Sequence, residues 1–262
     1  MLILKAIIVP IFIAIVTLVG RKWGHKVAGV LAGFPVVSGP IVVFVALDQG
    51  TVFGQQVALA AINGVFALVI FTTAFCWACT RGHLVPAIFI GVITWLLGAL
   101  VIQEISPKLI PASFISAAAL VLSNFLLPRA RELSPKKASF NDLPWRMLIG
   151  TILTLVITAL ASHLGPMWSG TLAVFPAIFL VLTTFVFLAD GPNHVVEMCR
   201  GMLAGLSAFL IFFVVLASVW PSASILNACL LAIAISLAVQ LTVQFFLRSI
   251  EKRNTAKTSR QK

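Results

Sequence analysis

Nine apolar runs, nearly bare of charge, take up most of this chain, and they limit what it can fold into. Crossing the hydrocarbon of a bilayer takes roughly 20 apolar residues as a helix. Every backbone polar group must also find its partner within the crossing structure, which leaves only helices or a closed barrel, and runs of this length read as helices. The runs fall at 2–20, 27–47, 56–79, 84–103, 109–127, 146–163, 168–188, 196–219 and 222–247. Of the 262 residues, 61% are hydrophobic and 10% are charged, so seven acidic side chains would have to cover any soluble surface. The expected fold is an all-α polytopic membrane protein.

The first run has no basic start beyond Lys5 and no small-residue cleavage site. It ends in Arg21 and Lys22, as a retained helix stopped at the cytoplasmic face does. Lys and Arg then set the orientation. The loops after odd-numbered runs and the C-terminal tail hold 16 of the 18 basic residues, and the other face has only Lys5 and Lys108. This bias predicts an N-terminus outside and a C-terminus in the cytoplasm of a bacterial inner membrane. The net charge of +11 is dispersed over loops and tail, with no polar stretch long enough to form a nucleic-acid-binding domain. Membrane lipids are the expected partners, with anionic head groups meeting the basic tail.

A short signature occurs twice. Gly29-Val-Leu-Ala-Gly-Phe34-Pro35 and Gly170-Thr-Leu-Ala-Val-Phe175-Pro176 are separated by 141 residues. The same offset places Phe44, Val45, Leu47 and Gly50 on Phe185, Val186, Leu188 and Gly191. It extends upstream, with Thr17 on Thr158 and Gly24 on Gly165, and downstream, with Gly64, Ala67 and Phe71 on Gly205, Ala208 and Phe212. A repeat of four spans therefore occurs twice, and the odd span between the copies inverts the second. The expected layout is a first repeat at 1–107, a linking helix and basic cytoplasmic loop at 108–145, the inverted repeat at 146–248 and a basic tail at 249–262. With both units in one chain, a monomer is expected.

The Phe-Pro segments should break their helices. Proline lacks a donor and clashes with the carbonyl four residues back. In the first copy Ser38, Gly39 and Pro40 follow at once, which should open the helix, whereas the second copy has Pro176 alone and should kink less. Thr183 and Thr184 could cap freed carbonyls there. Two readings stand side by side. In one, the broken spans cross at a central binding site, where half-helix ends offer partial charge to a ligand. In the other, the kinks serve packing, with Gly29, Gly33 and Gly170 allowing close approach. The first reading makes Phe34, Pro35, Ser38, Gly39, Phe175, Pro176, Thr183 and Thr184 the substrate-binding candidates, joined by Asn63 as the most interior polar residue of the third span.

The carboxylates all lie near span ends. Asp48, at the outer end of the second span, and Asp190, at the inner end of the seventh, are gating candidates or simple boundary residues. Glu197 and Arg200 have the spacing of a local ion pair. The four His fall at loops or span ends with no metal spacing, and Cys76-Trp-Ala-Cys79 reads first as buried packing and second as a redox pair. No nucleophile elbow, phosphate loop or zinc motif occurs. No metal, cofactor or enzymatic activity is expected.

The segment Val27-Ala-Gly-Val-Leu-Ala-Gly-Phe-Pro35 resembles the Ala-Gly-Leu-x-x-x-Phe-Pro pattern of small bacterial inner-membrane proteins of the GlpM type, and Ser169-Gly-Thr-Leu-Ala-Val-Phe-Pro176 resembles it too. Gly39-Pro40 departs from that pattern. The resemblance implies two such units fused through the fifth span, and a link to exopolysaccharide production. Inversion and broken helices point to a small secondary transporter or exporter of an amphiphilic or small, mostly neutral solute. The alternative is a membrane scaffold or accessory protein in envelope polysaccharide assembly.

Overall fold

A computed structural model describes residues 2–105, 108–128, 130, 142–163, 174–220 and 222–259. All regular structure among them is helical: α1 (Leu2–Trp23), α2 (His25–Ala32), α3 (Ser38–Gln49), α4 (Thr51–Cys79), α5 (Leu84–Ile105), α6 (Leu109–Leu126), α7 (Leu143–His163), α8 (Ala177–Asp190), α9 (Pro192–Val219) and α10 (Ile225–Ser259). Seven helices, namely α1, α4 to α7, α9 and α10, are long and apolar enough to cross a membrane. The protein is an all-α polytopic membrane protein. The expected second and seventh spans, which carry the Phe-Pro pairs, are the ones that do not form a single long helix. The second copy's residues 164–173, the basic loop at 131–141 and the last residues 260–262 lie outside the described residues.

The break in the second span is Gly33–Val37. Phe34 N–H donates to Leu31 O (3.1 Å) and Val36 N–H to Phe34 O (2.8 Å), so tight turns take up the carbonyls that Pro35 denies to a helix. Gly39 and Pro40 were expected inside the opening, but they sit in the first turn of α3. There a missing N–H falls among the groups a helix start leaves unpaired anyway. α2 has 8 residues and α3 has 12, about 12 Å and 18 Å of rise. Laid end to end they match a hydrocarbon core of about 30 Å.

In the second copy Val174, Phe175 and Pro176 are non-helical, and Pro176 is the N-cap from which α8 starts. The milder kink expected at Pro176 is therefore corrected: Pro176 stands at a helix start, not within a bent helix. Thr183 bonds to Phe179 O (2.8 Å) and Leu180 O (3.1 Å) within α8, so it caps nothing at the break.

The described packing repeats the 141-residue offset. Gly50, between α3 and α4, has φ +90°, and Gly191, between α8 and α9, has φ +91°. Both take the conformation that only glycine adopts freely. At the crossing of α2 and α9, a Cβ on Gly29 would meet Met198 O, one on Gly33 would lie 2.5 Å from Met202 O, and ones on Gly201 and Gly205 would meet Lys26 O and Val30 O. Two small-x-x-x-small faces thus touch backbone to backbone. Gly64 of α4 has the side chain of Val174 at its Cβ position. The offset turns that pair, 64 with 174, into the pair 205 with 33. The close-approach role expected of Gly29 and Gly33 holds; Gly170 is not described.

α4 and α9 form the centre, with Phe71, Phe75 and Phe213 fully buried. Gln55 near the start of α4 donates to Ala217 O near the end of α9 (2.6 Å), so these two run antiparallel. α1 and α7 are antiparallel too, joined by Lys5 to Thr158 at one end and Arg21 to Asp142 at the other. Outward apolar side chains such as Phe89, Phe114, Phe125 and Phe245 suit a lipid surround.

Contacts assemble one basic end of the bundle. Arg200 donates to Pro128 O (2.9 Å) and Leu127 O (3.3 Å), which joins the start of α9 to the end of α6. Trp77 at the end of α4 donates to Leu126 O (2.8 Å). With Arg21 and Arg146 beside the start of α7, this end brings together Arg21, Arg146 and Arg200. Arg200 is engaged by carbonyls, and the ion pair expected between it and Glu197 is not among the described contacts.

A candidate substrate cavity and its closed counterpart

The two helix breaks meet around a cavity of about 580 Å³ that extends from mid-bundle toward the end opposite the basic one. Phe34, Val37 and Ser38 contribute one wall and Val174, Phe175 and Pro176 another. Phe175 is held edge-on by Trp95 of α5, with ring centroids 4.9 Å apart. Phe12, Leu68, Met202 and Phe209 supply apolar floor, and Ile41 and Val45 of α3 lead outward to Gln49. On the α1–α7 side, Lys5 Nζ donates to Thr158 Oγ1 (3.0 Å), and Thr158 donates to Thr154 O (2.8 Å). Among the described residues of this lining, Lys5 is the ionisable one.

The basic end is shut. Only about 90 Å³ remains between Val16, Thr17, Arg146, Leu182, Val186 and Asp190 and their neighbours. Asp142 Oδ1 accepts from Arg21 (2.6 Å), and Oδ2 accepts from Arg146 Nε (3.0 Å) and an Arg146 terminal nitrogen (2.7 Å). The Arg146 guanidinium also lies 5.2 Å from the Phe185 ring centre. His25 Nε2 is 3.0 Å from Asp190 Oδ2, and the His25 ring meets the His194 ring edge-on at 5.1 Å. His194 Nδ1 lies 2.7 Å from Asp190 O, and since a carbonyl can only accept, the ring nitrogen donates. Side chains from α1, α2, α7, α8 and α9 are thereby tied at one point. Arg146 (6% exposed) and His25 (7% exposed) are deep enough for these pairs to matter.

The two places correspond. Adding or subtracting 141 takes Val16, Thr17, Arg146, Leu182, Val186 and Asp190 of the shut end to Ile157, Thr158, Lys5, Ile41, Val45 and Gln49, all of which line the open cavity. The interactions differ. Thr158 accepts from Lys5, whereas Arg146 turns to Asp142 and leaves Thr17 Oγ1 buried with no hydrogen-bond partner among the described residues.

Of the sequence candidates, Phe34, Ser38, Phe175 and Pro176 line the cavity. Pro35 and Gly39 are buried beside it, with Gly39 against the Phe212 ring. Asn63, Thr183 and Thr184 do not line it. Asp190 belongs to the shut end, while Asp48 is exposed at the end of α3. The offset pairs Asp190 with Gln49, not Asp48. Sequence reasoning missed Lys5, Gln49, Thr158, His25, His194, Asp142 and Arg146. The signal available was the offset itself, which puts Lys5 on Arg146 and Thr17 on Thr158. Cys76, Cys79 and Cys199 are buried free thiols in the α4–α9 core, as packing residues are. No cluster able to hold a metal occurs among the described residues. No known family, curated protein or solved structure matches this chain.

Proposed function

We propose that the chain is a small secondary transporter working by alternating access, with the cavity between the two broken helices as its substrate site. The observation that carries this reading is the correspondence of the open cavity with the shut basic end across the 141-residue offset. Two equivalent ends in opposite states are what a two-fold carrier has at one stage of its cycle. Inversion of the repeats is supported by the antiparallel course of α1 and α7, each the other's counterpart. It is supported again by the exchange contacts, Gly33 with Gly205 and Val174 with Gly64. The positive-inside bias makes the basic end cytoplasmic in a bacterial inner membrane, so this state is open outward. Asp190, Asp142 and their cationic partners form the inner gate. The chain acts as a monomer among lipids, its basic tail on anionic heads, and the Phe-Pro resemblance to GlpM-type proteins fits two fused units.

Reporter cysteines at equivalent positions test this. In a cysteine-free background, Val45→Cys and Val186→Cys face the outer and inner ends. An impermeant thiol reagent should label the first from outside intact cells and the second from the cytoplasmic side of inverted vesicles, with labelling of one suppressing the other. A static scaffold for polysaccharide assembly would label at Val45→Cys alone, whatever is added.

A further inference from the structure

We infer that the cavity takes an amphiphile with one anionic head group, its acid group held by Lys5; this rests on the transporter reading for its purpose but not for its binding. Among the described residues the lining is apolar over most of its extent and has no Asp or Glu to receive a cation. The ionisable side chain among them is cationic. Lys5 gives one N–H to Thr158 at 3.0 Å, and an ammonium has three to give. Gln49, at the outer end of α3, adds a polar group to the lining at the end where Lys5 stands. The first residues of two helices, Ser38 of α3 and Ala177 of α8, border the inner part of the cavity, beside Phe34 and Phe175.

The apolar body of the ligand has its own place. Phe34, Phe175, Phe179, Phe209 and Met202 surround the inner part of the cavity, away from Lys5. A volume of about 580 Å³ lies in the range that encloses a drug-sized molecule and excludes a two-chain lipid's full hydrocarbon. At the shut end the offset puts Arg146 where Lys5 stands, so the acid would meet a cation again once that end opens. Arg146 is then the second head-group site of the cycle, exposed when it leaves Asp142. A carboxylate and a phosphate monoester share this chemistry.

The full-length protein in phosphatidylcholine nanodiscs separates the cases by thermal unfolding with four probes of one chain length: dodecanoate, dodecyl phosphate, dodecanol and dodecyltrimethylammonium. The two anions should raise the melting temperature and the alcohol and the ammonium should not; the larger anion shift identifies the head group. Lys5→Gln should weaken anion binding about tenfold, the scale of losing a hydrogen bond to a charged group, and Lys5→Arg should retain it. The same melts report whether each variant folds. Dodecanol matching dodecanoate, a preference surviving Lys5→Gln, or no shift with any probe overturns the inference. Anion binding with Val186→Cys never labelled would overturn alternating access instead and leave the ligand class standing.

Discussion

Two kinds of glycine hold this molecule together, and they fail differently. Gly201 has ordinary helical backbone, but a methyl group there would meet Lys26 O across the α2–α9 crossing. Gly50 has open space around it and a φ of +90°. Gly50→Ala should therefore cost about 1–3 kcal/mol of backbone strain. Gly201→Ala should cost more, about 3 kcal/mol or above, because carbonyls on a neighbouring helix cannot give way as a side chain can. Reversible unfolding in bicelles checks the order, and an unperturbed Gly201→Ala would refute the crossing. Gly29 and Gly33 stood out in the sequence because they flank a repeated motif. Gly201 and Gly205 sat in an apolar span with nothing to mark their partner, since the carbonyls they spare belong to a helix some 170 residues away in the chain. His25 was hidden for the same reason, reading as a span-end residue until α2 and α8 brought it to 3.0 Å from Asp190, which the sequence offered as a gating candidate with Asp48.

The proposed inner gate is a property of elements, because Asp142 just before α7 is the carboxylate that holds both Arg21 of α1 and Arg146 of α7. Asp142→Asn would leave the buried Arg146 without its charge partner. Breaking a buried pair in this way costs about 3–5 kcal/mol, and the shut end bears that cost while the open cavity does not. The expected result is at least a tenfold faster labelling of Val186→Cys from the cytoplasmic side, by the rule that about 1.4 kcal/mol is tenfold in a population. Unchanged labelling with intact folding would mean that Asp142 does not latch the gate. The broken helices themselves were legible from proline chemistry, but their bounds were not. Pro40 reads as part of the opening in sequence, yet the first turn of a helix accepts proline, so α3 starts before it. Pro176 reads as a kink, yet as an N-cap it starts α8 afresh.

At the scale of the whole molecule the two halves share a plan and differ in acids. Asp190 corresponds to Gln49 across the 141-residue offset and Asp142 to Met1, so the carboxylates that engage His25, Arg21 and Arg146 have no acidic counterpart at the matching positions. The repeat was legible as a register of matching residues. Which end is shut was not, because that depends on pairs formed between spans. The difference leaves a trace in a matched pair of threonines. Thr158 Oγ1 receives Lys5 at the open end, while its counterpart Thr17 is buried at the shut end without a hydrogen-bond partner among the described residues. When the ends exchange states, Arg146 should leave Asp142 and turn to Thr17 as Lys5 now turns to Thr158. Thr17→Val then removes an orphaned hydroxyl from the present state and a partner from the other, so it should lower Val186→Cys labelling. Thr158→Val should raise it, because it removes a bond from the present state. Each shift should be several-fold, on the scale of one hydrogen bond of about 1 kcal/mol. Two valines at equivalent sites pushing one equilibrium in opposite directions is a result that a static bundle cannot produce, and shifts of the same sign would refute the exchange.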